Sequence, residues 1–72
     1  MRVKTMSLAK VIEVIAEGDT MEEAVKNAVK HASRTVHNIR SVYCEHMQGV
    51  VENNKVTKFR VNAKITFVLD EK

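Results

Sequence analysis

The run VTKFRVNAKITFVL, residues 56–69, decides the fold, because side-chain character alternates along it residue by residue. Thr57, Phe59, Val61, Ala63, Ile65, Phe67 and Leu69 fall on one face, and Lys58, Arg60, Asn62, Lys64 and Thr66 on the other. A period of two over this length marks a β-strand with one dry and one wet face. Just upstream, Asn53-Asn54 supplies two residues that tolerate positive φ, as a tight primed hairpin turn requires. The stretch from Ser41 to Leu69 therefore reads as one long hairpin. With a two-residue loop, Glu52 faces Lys55, and counting back sets Met47 opposite Arg60, Cys44 opposite Ala63 and Ser41 opposite Thr66.

Ahead of the hairpin, AKVIEVIA (residues 9–16) is dense in β-branched residues and is closed by Gly18-Asp19, so it reads as a first strand. Val11, Glu13 and Ile15 share one of its faces, which makes Glu13 a solvated or ion-paired residue on an otherwise apolar face. Thr20-Met21-Glu22-Glu23 is a capping box. Behind it Met21, Ala24, Val25, Ala28, Ala32, Val36 and Ile39 recur at helical spacing, and the alanines allow the helix to lie close on a sheet. The pattern predicts a helix of about 19 residues ending near Asn38, with His31 and His37 on its surface. The fold class is α+β: a β-α-β-β unit with one helix packed on a three-stranded antiparallel sheet. Residues 1–72 form a single domain, with residues 1–8 a frayed, basic extension.

Size makes this unit incomplete. A chain of 72 residues buries only about 60% of its unfolded surface. One cysteine excludes an internal disulfide, and no Cys and His residues sit at zinc-finger spacing, so oligomerisation is the remaining support. The lengths agree. A 19-residue helix spans roughly 28 Å, whereas each hairpin arm spans roughly 40 Å. The hairpin overhangs its helix and leaves Val50, Val51 and Val56 for another subunit to cover. The single cysteine, with neither a membrane-spanning apolar run nor a signal-peptide core, points to the cytoplasm.

Composition also limits chemistry. No Ser-His-Asp order, phosphate loop or convergent carboxylate pair supports catalysis, so no catalytic residue is assigned. Three aromatic residues offer few stacking platforms for nucleic-acid bases. A net charge of +3 is mild, but Lys58, Arg60 and Lys64 form a basic stripe that keeps a nucleic-acid-binding module as the third functional reading.

The order β-α-β-β, the opening Lys10-Val11-Ile12-Glu13-Val14, the helix Glu22-Glu23-Ala24-Val25-Lys26-Asn27-Ala28-Val29 with Ala32, and the exit Asn38-Ile39-Arg40 together resemble the dodecin family. Gly49, Lys55-Val56 and the Phe67-containing last strand extend that resemblance from Ala9 to Asp70. It implies a hollow homo-dodecamer with helices outside and sheets inside, holding flavins (FMN, FAD or riboflavin) in pairs between tryptophans as a store or buffer. Some members are also associated with coenzyme A or metal ions. The chain departs from the family at the clamp. Ser41 stands where the stacking tryptophan is expected, His46-Met47 where an acid-Gln pair is expected, and Arg60 where a glutamine follows the aromatic of the third strand. Stacking contributes about 0.5–1.5 kcal/mol per aromatic pair beyond area burial, so the resemblance implies flavin binding with weakened or lost affinity. The second reading is a shell for a different ligand (an anion, a coenzyme A-like molecule or a metal ion) or for none.

The candidate ligand-binding residues are accordingly Ser41, Tyr43, Glu45, His46, Met47, Arg60 and Lys64. The register count sets Tyr43 opposite Lys64, Glu45 opposite Asn62 and Met47 opposite Arg60 on the face away from the helix, which Val51 shares. Arg60 and Lys64 suit phosphate or carboxylate, and Tyr43 offers a substitute platform two residues from the missing tryptophan. The same count puts Cys44 and His46 under the helix, opposite Ala63 and Val61. They read as packed core and helix-edge residues, while a bulge at Gly49 would turn His46 outward. No metal site is assigned.

Overall fold

The computed structural model describes residues 8–69, in the order β1 (Leu8–Gly18), α1 (Met21–Ala32), β2 (Ile39–Glu52) and β3 (Lys55–Leu69). Residues 1–7 of the expected extension lie outside the described residues, and Leu8 is already in β1. The sheet is antiparallel with order β1-β3-β2, so the alternating strand is the central one. Val61, Ala63, Ile65 and Phe67 turn one face of β3 to α1 and are buried there. Ala24, Ala28 and Ala32, spaced one turn apart, form the buried stripe of the helix. Ile12, Val14, Ala16, Ile39 and Val42 pack around this core from the two outer strands. It is a thin core of small residues.

The hairpin count holds at both ends. Ser41 pairs with Thr66, Tyr43 with Lys64, Cys44 with Ala63, Glu45 with Asn62 and Glu52 with Lys55, around Asn53 and Asn54 at φ 52° and 62°. It fails in the middle, because two irregularities cancel. One extra residue on β2 between Glu45 and Gln48 moves Gln48 opposite Arg60, and Thr57 on β3 restores the count before Val51 pairs with Val56. Met47 therefore does not face Arg60. Val51 is also not on the face away from the helix: its pair partner Val56 lies beside Gly49, which pairs with Phe59 of the dry face. The residue in the left-handed region is His46, at φ 52°, rather than Gly49. Gly49 has another duty. A Cβ there would come within 3.3 Å of Val56 Cγ1.

The capping box forms, with the Thr20 hydroxyl accepting from the Glu23 amide at 3.0 Å, while the Glu23 carboxylate accepts from the Asp19 amide at 2.9 Å. The helix is 12 residues long rather than about 19. Ser33-Arg34-Thr35-Val36 explains the early stop, since serine competes for backbone acceptors and β-branched residues lose side-chain freedom in a helix. The Ser33 hydroxyl donates to the Lys30 carbonyl at 2.8 Å, and Arg34 and Thr35 donate to carbonyls three residues back in a tightened turn. Asn38 does adopt the left-handed conformation (φ 61°), but as the lead-in to β2, where its carbonyl accepts from the Val68 amide at 3.1 Å.

The shorter helix strengthens the length argument. Twelve residues span roughly 18 Å of helix, and hairpin arms of 14 and 15 residues extend to nearly three times that at about 3.3 Å per residue. The subunit measures 60 × 20 × 14 Å with a radius of gyration of 15.5 Å, against about 11 Å for a compact domain of this length. Val51 and Val56 at the hairpin end are more than half exposed.

A close backbone approach at Gly18 holds the helix start to β1. A Cβ on Gly18 would lie 2.5 Å from the Ala24 nitrogen and 2.8 Å from the Glu23 carbonyl carbon. Backbone cannot yield as a flexible side chain can, so Gly18→Ala must push α1 off the sheet. The expected loss is about 1–3 kcal/mol, read as a lower thermal midpoint, whereas Gly49→Ala meets only a valine methyl and costs less.

Candidate functional site: the free face of the sheet

Residues paired across an antiparallel ladder project to the same side, so the register defines the face turned away from α1. Four rows cross it: Val11, Thr66, Ser41; Glu13, Lys64, Tyr43; Ile15, Asn62, Glu45; and Glu17, Arg60, Gln48. Ser41, Tyr43, Glu45, Arg60 and Lys64, all expected on this face, are brought together on it. Tyr43 is 64% exposed, as is Ile15, and Val11 is 57% exposed. The face thus presents one aromatic ring and two branched apolar side chains among polar groups.

His46 and Met47 occupy the bulge and pair with nothing on β3. His46 is not under the helix: its side chain is 74% exposed, and Nε2 lies 3.8 Å from a Glu45 carboxylate oxygen. The left-handed backbone at His46 redirects the ring and separates it from Cys44, which stays half-buried opposite Ala63. Among the described residues no cluster of three or more His, Cys, Asp or Glu side chains is arranged to hold a metal ion. Met47 is 58% exposed.

The basic stripe is not free. Arg60 donates from Nε to Glu17 Oε2 at 2.8 Å, its Nη2 lies 2.7 Å from the same oxygen, and Lys58 Nζ lies 3.6 Å from Glu17 Oε1. Lys64 Nζ lies 3.5 Å from Glu45 Oε2. Three carboxylates (Glu13, Glu17, Glu45) balance three cations (Lys58, Arg60, Lys64) on this face. A phosphate backbone would meet no excess of positive charge here, which removes the basis for reading the stripe as a nucleic-acid surface.

Glu17 and Gln48 are the site residues that sequence reasoning missed. Glu17 carries on the spacing of Val11, Glu13 and Ile15, but the first strand was expected to stop at Ala16, one residue short of it. Gln48 reaches Arg60 only because of the bulge. The strongest electrostatic feature of the face thus depends on β1 pairing with β3, a contact 43 residues apart in sequence.

The hydrogen bond from Arg60 is the main cause holding the Glu17 carboxyl below its ordinary value of 4.5; desolvation opposes it, and the Arg60 and Lys58 charges reinforce it. A depressed carboxyl stabilises the fold above its unfolded value and loses that contribution as pH falls through the folded one. The thermal midpoint of the protein should therefore drop, below about pH 4.5, by more than that of Glu17→Gln. Melting curves of both proteins between neutral and acidic pH check this, and parallel curves would show that the pair contributes nothing.

The fold and this face define a class: a β-α-β-β subunit whose sheet leaves one broad side open for a ligand or a neighbour. The dodecin family model matches residues 8–70, and the chain belongs to the dodecin family, a family of small-ligand-binding proteins. Among solved structures, the dodecin from Streptomyces coelicolor is 28% identical, with 96% of this chain and all of that chain covered at a TM-score of 0.86. The dodecin from Streptomyces davaonensis is 22% identical, with 93% of this chain and all of that one covered at the same TM-score. The tt0972 protein from Thermus thermophilus is 19% identical, with 93% and 100% covered at 0.85. No curated protein matches the chain.

Proposed function

We propose that this chain is the subunit of a closed homo-oligomer, a dodecamer by family resemblance, that holds flavin-type small molecules against the free sheet face as a non-catalytic store. The observation that carries the reading is the free face itself: a broad surface with Tyr43, Ile15 and Val11 exposed between self-neutralised ion pairs, on a subunit too extended to be compact alone. Exposed apolar surface of this kind fits ligand or subunit contact. The names of the Streptomyces structures, both dodecins, support the family function, and the single free Cys44 supports a reducing, cytoplasmic setting. No helix among the described residues is long and apolar enough to cross a membrane.

Flavin affinity in this reading is low, because Ser41 offers no ring and Tyr43 is the one aromatic on the face. That same substitution favours the second reading, in which the shell holds a different ligand. Tyr43 and Ser41 then frame the ring-binding end, and the Glu17–Arg60–Gln48 row lies about 13 Å further along β3.

Flavin fluorescence separates the two readings. Titrating riboflavin or FMN with the purified protein should quench emission weakly, and Ser41→Trp should tighten binding by about tenfold if a stacking pair is restored. Unquenched emission from both proteins at high concentration would exclude flavin as the ligand.

A further inference from the structure

Every cation on the free face already has a carboxylate within 4 Å, but the pairs differ. Lys64 has one contact of 3.5 Å with Glu45. Glu17 gathers two cations: Arg60 Nε donates to Oε2 with Nη2 at 2.7 Å from the same oxygen, and Lys58 approaches Oε1. The carboxylate is intermediate in exposure and sits at the end of β1, fixed from behind where the Asn27 side chain donates to the Glu17 carbonyl at 2.9 Å. The guanidinium that a phosphate group would seek is thus held by a residue of the neighbouring strand.

We propose that Glu17 is a specificity-determining residue of the free face: by occupying Arg60 and Lys58 it denies them to a phosphate group, so the face accepts uncharged ring ligands in preference to phosphorylated ones. The inference rests on the reading of this face as ligand-binding. A phosphate dianion at Arg60 must either displace Glu17 or sit beside it. Displacement gives up a charge-assisted hydrogen bond within a close ion pair and leaves a carboxylate facing a dianion. Coexistence places three negative charges around two cations. Replacing Glu17 by glutamine removes the competitor, raises the local charge of this cluster from +1 to +2, and keeps a side-chain oxygen that accepts from Arg60. The depressed titration of Glu17 is consistent with its staying ionised throughout the neutral range.

The test compares riboflavin with FMN, which differ by one phosphate, in the intact oligomer of the natural sequence, Glu17→Gln and Arg60→Gln. Fluorescence quenching gives each Kd, and calorimetry with inorganic pyrophosphate reports the phosphate interaction without any ring. The natural protein should bind riboflavin at least as tightly as FMN and give no pyrophosphate heat. Glu17→Gln should shift the ratio about three- to tenfold toward FMN, with a gain that disappears in high salt and measurable pyrophosphate binding. Arg60→Gln should leave the ratio within about twofold, because Glu17 already withholds that guanidinium, and a selective loss of FMN binding in Arg60→Gln would overturn the inference even if Glu17→Gln does not assemble. An unchanged ratio and absent pyrophosphate binding in an assembled Glu17→Gln protein would overturn the inference. If neither flavin binds any of the three proteins, the flavin reading falls, while pyrophosphate binding confined to Glu17→Gln still upholds the role of Glu17 and its absence refutes it.

Discussion

The structure depends on β3 being satisfied on both edges and dry on one face. As the centre of a three-stranded sheet it is tied to β1 by an unbroken register from Leu8–Leu69 to Gly18–Phe59, and to β2 by a register that slips and recovers. A slip of one residue along β3 would turn Val61, Ala63 and Ile65 to solvent and Arg60, Asn62 and Lys64 under the helix. Burial of unpaired charges makes that alternative costly, so the helix face and the free face are fixed by the same alternation. Neither can change without the other.

The register shifts fall between β2 and β3, at Ile39/Ser41, Glu45/Gln48 and Val50/Val51, whereas β1 and β3 pair without one. His46 is the left-handed residue of the Glu45–Gln48 shift, and at the Val50–Val51 shift the Thr57 hydroxyl donates to the Val50 carbonyl at 3.4 Å. The overhang exposes Val51 and Val56, and the core is thin and rich in alanine.

The fold was legible because its signals are local. The alternation of residues 56–69, the Asn53-Asn54 turn and the Thr20–Glu23 capping box each lie within a few residues, and each forms. The helix end was misplaced because the stripe through Val36 and Ile39 continues the apolar period past Ser33, although backbone competition at Ser33 and Thr35 ends the helix. The site was legible only in half. Ser41, Tyr43, Glu45, Arg60 and Lys64 follow from β3 and a hairpin count, and they share the free face. His46 and Met47 did not follow, since a bulge leaves no composition signal when the residue taking positive φ is a histidine. Glu17 depended on a long-range strand pairing. Its ion pair changes the character of the face from basic stripe to balanced surface, which a charge count along the hairpin alone could not reveal.

The central claim is that this dodecin-family subunit is incomplete as a monomer and forms a closed shell around a small ligand. Native mass spectrometry of the protein isolated from its own host tests stoichiometry and cargo in one spectrum. The account predicts a single closed homo-oligomer, twelve copies by family resemblance, that releases a small molecule on activation. A monodisperse monomer at micromolar concentration would contradict it.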